Sequence, residues 1–141
     1  MCDRLFYLNQ NHQIQHMPKP LVLIIEDSAY LSESLKDLVK IAGFDVAVAN
    51  TGREGILLAR EKQPKLILLD IRLPDIDGYE VYHEIKNKPW GKNINVVVLT
   101  ASESVETVAK NIDLPLDKVL FKPRCDVSYL IEKIKQEINP I

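Results

Sequence analysis

From Leu21 onward, short aliphatic runs alternate with segments in which apolar residues recur every three or four positions. "LVLII" at 21–25 is an unbroken, β-branched run and predicts a strand. Leu31, Leu35, Leu38, Val39 and Ala42 follow at helical spacing until Gly43, a residue suited to ending a helix. "FDVAVA" at 44–49 alternates as a second strand, and Thr51-Gly-Arg-Glu54 has the spacing of a capping box that opens a helix to about Lys62, ahead of Pro64. "LILL" at 66–69 is the third strand, and Asp77-Gly-Tyr-Glu80 repeats the cap pattern before a helix that turns Val81 and Ile85 inward. "INVVVL" at 94–99, a helix over 103–112, "KVLF" at 118–121 and a helix over 126–138 complete the series. Five strand–helix repeats with uniformly apolar strands predict an α/β fold, a parallel five-stranded sheet covered on both faces. With right-handed crossovers and so few strands, this is an open, doubly wound (βα)5 sheet and not a closed barrel.

Residues 1–19 break the rhythm. They are rich in Asn, Gln and His, lack sustained periodicity and run into Pro18 and Pro20, which predicts a flexible N-terminal extension ahead of a domain over 20–141. His12 and His16 stand four apart, but two histidines without a third ligand or a helical pattern are better read as a solvated tail than as a metal site.

Composition narrows the function classes. A chain of 141 residues that is 46% hydrophobic and 27% charged suits one globular domain, and a formal net charge of -2 supplies no general attraction for nucleic acid or an anionic membrane. No apolar stretch approaches the roughly 20 residues of a bilayer span, and no signal-peptide pattern opens the chain, so a cytoplasmic protein is expected. Cys2 and Cys125 are far apart and predict free thiols, not a metal or disulfide framework.

In doubly wound sheets the ligand site lies beyond the carboxyl ends of the strands. Glu26 and Asp27 follow the first predicted strand, Asp70 the third, Thr100 and Ala101 the fourth, and Lys122 then Pro123 the fifth. Several carboxylates crowded at one edge must protonate or share a cation, and an all-oxygen set with open positions suits Mg²⁺. Asp70 is then a candidate nucleophile toward a phosphoryl group, with the metal and Lys122 balancing charge on the phosphoryl oxygens.

These motifs, "LVLIIEDS", "LILLDIRLPDIDGYE", "VVVLTA" and "VLFKP", resemble in order and placement the receiver domain of two-component response regulators, of which the single-domain chemotaxis regulator is the familiar form. The resemblance covers about residues 20–139 and implies a flavodoxin-like strand order, 2-1-3-4-5. It implies that Asp70 accepts a phosphoryl group from a phosphohistidine on a sensor histidine kinase or histidine phosphotransfer protein. It further implies that Asp27, Asp70 and the backbone carbonyl of Arg72 ligate Mg²⁺, with Glu26 acting through water. Lys122 is implied to pair with one phosphoryl oxygen, Thr100 to hydrogen-bond another, and the small Ala101 to leave room for the donor.

Two features depart from the family pattern. Val119 stands three residues before Lys122, where the family carries the aromatic residue that swings during switching, and a β-branched valine cannot repeat that movement. Leu114-Pro115-Leu116 replaces the usual small residues, and Pro115 stiffens the loop. Asp75 reads as a solvated loop residue, Asp77 as a helix cap, His83 as a partly exposed helix residue and Trp90 as a loop residue for packing or partner contact.

The expected function is a non-enzymatic phosphoacceptor that signals by binding a downstream protein or relays between two phosphocarriers, with a homodimer through the last helix and fifth strand left open. In a fragment of a longer protein, the same chemistry would regulate another domain. No helix-turn-helix and no phosphate-cradling glycine loop is legible in the sequence. A receiver-like module that is not phosphorylated is one alternative. A phosphatase of the haloacid dehalogenase type is another, disfavoured because Arg72 occupies the place of that family's second Asp.

Overall fold

The computed structural model describes residues 18–101, 103–122 and 126–139 in full and, ahead of them, the backbone of two short strands. These are β1 (Phe6–Leu8) and β2 (Ile14–His16), which pair antiparallel with Tyr7 opposite Gln15. The stretch expected to be a flexible extension thus contains a small ladder, which three-residue strands are too short to announce through periodicity. His12 and both cysteines lie outside the described residues, as do Ser102 and Pro123.

The domain proper runs β3 (Leu21–Ile25), α1 (Ala29–Ile41), β4 (Asp45–Ala49), α2 (Gly52–Lys62), β5 (Leu66–Asp70), α3 (Gly78–Lys86), β6 (Asn95–Thr100), α4 (Val105–Ile112), β7 (Val119–Phe121) and α5 (Val127–Ile138). Its strands form one parallel sheet in the order β4-β3-β5-β6-β7, the expected 2-1-3-4-5 when counted from Leu21.

Because side chains alternate across a strand, each apolar run feeds two cores. Leu23, Ile25, Ile67 and Leu69 pack with Ala59, Val81, Ile85, Val108 and Ile112 from α2, α3 and α4. Val22, Ile24, Leu66 and Leu68 face the other way and meet Leu35 and Val39 of α1 and Leu130 and Ile134 of α5. Two helices start at the caps the sequence predicts: Thr51 Oγ1 accepts the Glu54 N–H at 3.1 Å and Asp77 Oδ1 accepts the Glu80 N–H at 2.9 Å, whereas the helix expected from 103 starts at Val105 behind the N-cap Ser104. The returning half of the first box lands one residue early, since Glu54 accepts the N–H of Asn50. Gly43 ends α1 at φ +99°, a conformation that side chains resist.

Candidate functional site

Parallel strands end at one edge, and there the residues that follow them converge. Glu26 and Asp27 extend β3, Asp70 closes β5, Thr100 closes β6 and Lys122 follows β7. Ligand oxygens of Glu26, Asp27 and Asp70 all lie within 4.8 Å of one another, with Glu26 and Asp70 buried and Asp27 exposed. Lys122 Nζ bridges two of them, 2.7 Å from Glu26 Oε1 and 3.1 Å from Asp70 Oδ1. The Ser28 N–H donates to Glu26 Oε2 at 3.1 Å, and the Asn50 side-chain amide donates to the Glu26 carbonyl at 2.9 Å.

Burial pushes the Glu26 carboxyl above the usual range, and the bonds from Lys122 and Ser28 offset this only in part. Burial also pulls on the Lys122 ammonium, but the Glu26 bond and the Asp70 charge more than reverse it, so its pKa is raised and the lysine stays charged. Two carboxylates within 4.8 Å of each other repel by at least about 3 kcal/mol at an effective dielectric near 20, and one ammonium among three such groups leaves negative charge over. The residues fit a hard divalent cation: an all-oxygen donor set, two members fixed by burial and one open to solvent.

The segment after Asp70 is built to hold it. The Gly78 N–H donates to the Ile71 carbonyl at 2.7 Å, and a Cβ at Gly78 would fall 2.5 Å from the Asp70 carbonyl oxygen and 2.6 Å from Ile71 Cα. Glycine is therefore required by close approach of α3 to the end of β5. Asp75, expected as a merely solvated loop residue, has a structural task. Its carboxylate accepts the N–H groups of Gly52 at 2.7 Å and Arg53 at 2.9 Å, tying the loop that contains Arg72 to the start of α2. What burial it has opposes the shift, but these backbone bonds lower its pKa to about 2. Arg72 itself is exposed, two residues beyond Asp70.

Thr100 is buried at 1% exposure and Ala101 beside it is exposed. The Thr100 hydroxyl donates to the Glu103 carbonyl and accepts the Glu103 N–H, both at 3.2 Å. Tyr79 of α3 donates its hydroxyl to Glu103 Oε2 at 3.1 Å, and Asn111 of α4 donates to the Tyr79 oxygen at 3.5 Å. Sequence reasoning misses Tyr79, Glu103, Asn111 and Asn50, because contacts between residues 24 or more apart leave no local pattern. Val119 is buried in the core that also holds Val108 and Ile112 of α4. Trp90 packs against that same core, which gives it a packing role, and His83 is exposed with its ring edge-on to Tyr82.

The chain resembles known proteins in sequence and fold. The family model of the response regulator receiver domain matches residues 22–135. The DNA-binding dual master transcriptional regulator RpaA of Synechocystis is 33% identical over 116 residues, covering 82% of this chain and 48% of that protein. The chain thus spans about half the length of the curated transcriptional regulators of this kind that it matches. A CheY-like receiver domain protein from Methanospirillum hungatei superposes with a TM-score of 0.75 at 26% identity, over 86% of this chain and 94% of that one. The Mn²⁺-bound form of response regulator Rcp1 superposes at 0.68 and 29% identity, over 86% and 96%.

Proposed function

This chain belongs to the response regulator receiver family, and from that membership we propose that Asp70 accepts a phosphoryl group from a phosphohistidine in a two-component relay. The observation that carries the reading is a carboxylate at 6% exposure whose oxygen lies 3.1 Å from the Lys122 ammonium, beside two further acids. An Asp70 oxygen attacks phosphorus; the new O–P bond forms as the donor's P–N bond breaks, and the electron pair leaves with the imidazole nitrogen, which takes up a proton. Asp27, Asp70 and the Arg72 carbonyl would hold Mg²⁺, with Glu26 acting through water; the cation supplies charge neutralisation at the phosphoryl oxygens.

Lys122 pairs with a phosphoryl oxygen, and to do so gives up part of its hold on Asp70 and Glu26. Thr100 donates to another phosphoryl oxygen, and Ala101 leaves the donor's approach clear. The domain acts as a switchable acceptor in the cytoplasm, not as a turnover enzyme. It takes its phosphoryl group from a sensor kinase or phosphotransfer protein and passes its signal to a downstream protein. No helix of the described residues is long and apolar enough to cross a membrane.

Intact mass after incubation with Mg²⁺ and acetyl phosphate tests the proposal. One phosphoryl group is expected on the native chain and none on Asp70→Asn. If neither acetyl phosphate nor a phosphorylated kinase leaves an adduct, the domain is an interaction module that does not use its acids for transfer.

A further inference from the structure

A hydroxyl has one proton to donate, and in this structure Thr100 places its proton on the Glu103 carbonyl while accepting the Glu103 N–H. It cannot donate to a phosphoryl oxygen until that loop contact opens. Glu103 is not loose: its carboxylate is held from another helix by the Tyr79 hydroxyl, and Tyr79 is held in turn by Asn111 of α4. The Tyr79 ring, partly buried, packs against the core. Burial raises the phenol pKa, with the Glu103 carboxylate adding to the effect, so at neutral pH the hydroxyl is a donor. Ser104, the residue after Glu103, is the N-cap of α4 and accepts the Thr107 N–H at 3.1 Å, so a displaced Glu103 pulls directly on the first turn of that helix.

We propose that Tyr79 and Glu103 form a latch that holds the Thr100 hydroxyl on the loop, and that phosphorylation opens this latch and transmits its release to the face between α3 and α4. Both are positioning residues, acting on Thr100 and not on the phosphoryl group. The latch rests on the reading of Thr100 as the phosphoryl-binding hydroxyl. It gives this chain a polar route out of the site at Tyr79, independent of the buried Val119 in β7.

Tyr79→Phe keeps the ring and deletes the donor. Losing one hydrogen bond that restrains the resting loop is expected to speed phosphorylation by acetyl phosphate with Mg²⁺ about 2- to 10-fold. Glu103→Ala is expected to do the same, Glu103→Gln, which keeps an acceptor oxygen, to stay within about 2-fold of native, and the double variant Tyr79→Phe/Glu103→Ala to be no faster than either single. With Mg²⁺ and beryllium fluoride, a phosphoryl analogue, the Glu103 amide and Tyr79 ring resonances of the native chain are expected to shift, and those of Asp70→Asn to stay. Native-like amide spectra of the unliganded variants establish that they fold. Phosphorylation of the native chain with unmoved Tyr79 and Glu103 resonances, additive rate effects, or variants at the native rate would overturn the latch alone. No adduct on the native chain from acetyl phosphate or a phosphorylated kinase would overturn the phosphoacceptor reading and the latch with it.

Discussion

Replacing Asp70 by Asn removes one charge from a cluster in which three carboxylates face a single ammonium. At an effective dielectric near 20, Lys122 and the Asp70 carboxylate attract across 3.1 Å by about 5 kcal/mol. Glu26 and Asp27, with ligand oxygens up to 4.8 Å away, each oppose it by about 3 kcal/mol. The balance is a net repulsion of about 1–2 kcal/mol within the cluster. Solvent around the exposed Asp27 weakens one repulsion, while the burial of Asp70 at 6% exposure adds a desolvation cost in the opposite direction. Asn keeps the shape and an acceptor oxygen for Lys122, and Lys122 keeps its bond to Glu26. In EDTA at pH 7, Asp70→Asn is therefore expected to be more stable than the native chain by about 1 kcal/mol, a melting temperature several degrees higher. Urea titration followed by circular dichroism reads the difference directly. Added Mg²⁺ should stabilise the native chain more than the variant and narrow the gap, because a ligand stabilises only the state that binds it. A variant less stable than native in EDTA, or equal Mg²⁺ stabilisation of both, would refute the charge balance described for this site.

Gly78→Ala should cost about 2–3 kcal/mol in urea titrations, since the new methyl group meets the Asp70 and Ile71 backbone and neither can yield cheaply; a variant as stable as native would contradict the packing. Asp75, with its pKa lowered to about 2, contributes stability that is fully present above the ordinary carboxylate pKa of about 4 and is lost as pH falls through its folded value. Asp75→Asn should flatten the acid limb between pH 4 and 2 when melting is followed across that window. Glu137 receives Lys118 and Lys133, the latter at 6% exposure, so Glu137→Gln should destabilise by about 1–2 kcal/mol, read as a lower urea midpoint at unchanged slope. Arg72→Ala, two residues past the proposed acceptor Asp70, should change the lifetime of the phosphorylated form measured by loss of radiolabel, while a native lifetime would remove Arg72 from that role.

Most of the fold was legible because its cause is local. The central strands β3, β5 and β6 are apolar runs buried on both faces, and Thr51 and Asp77 mark helix starts through bonds three residues away. The site followed from topology: parallel strands must present their carboxyl ends together, so Glu26, Asp27, Asp70, Thr100 and Lys122 could be grouped before any distance was known. What stayed hidden depends on geometry between elements. Asp75 looks like a loop residue until α2 lies beside it and offers the N–H groups of Gly52 and Arg53. Tyr79 looks like any aromatic on a helix face until Glu103 and Asn111 reach its hydroxyl. The ladder of β1 and β2 is three residues deep, below the length at which alternation can be told from chance.

The proposed phosphoryl acceptor, Asp70, can be located chemically. Borohydride reduction of the acetyl phosphate-treated protein, followed by peptide mass analysis, locates the modified carboxyl, because an acyl phosphate is reduced to the alcohol while a free carboxylate is not. Homoserine is expected at position 70, formed only when Mg²⁺ was present during phosphorylation. Homoserine at position 27 or 75 with Asp70 intact would contradict it.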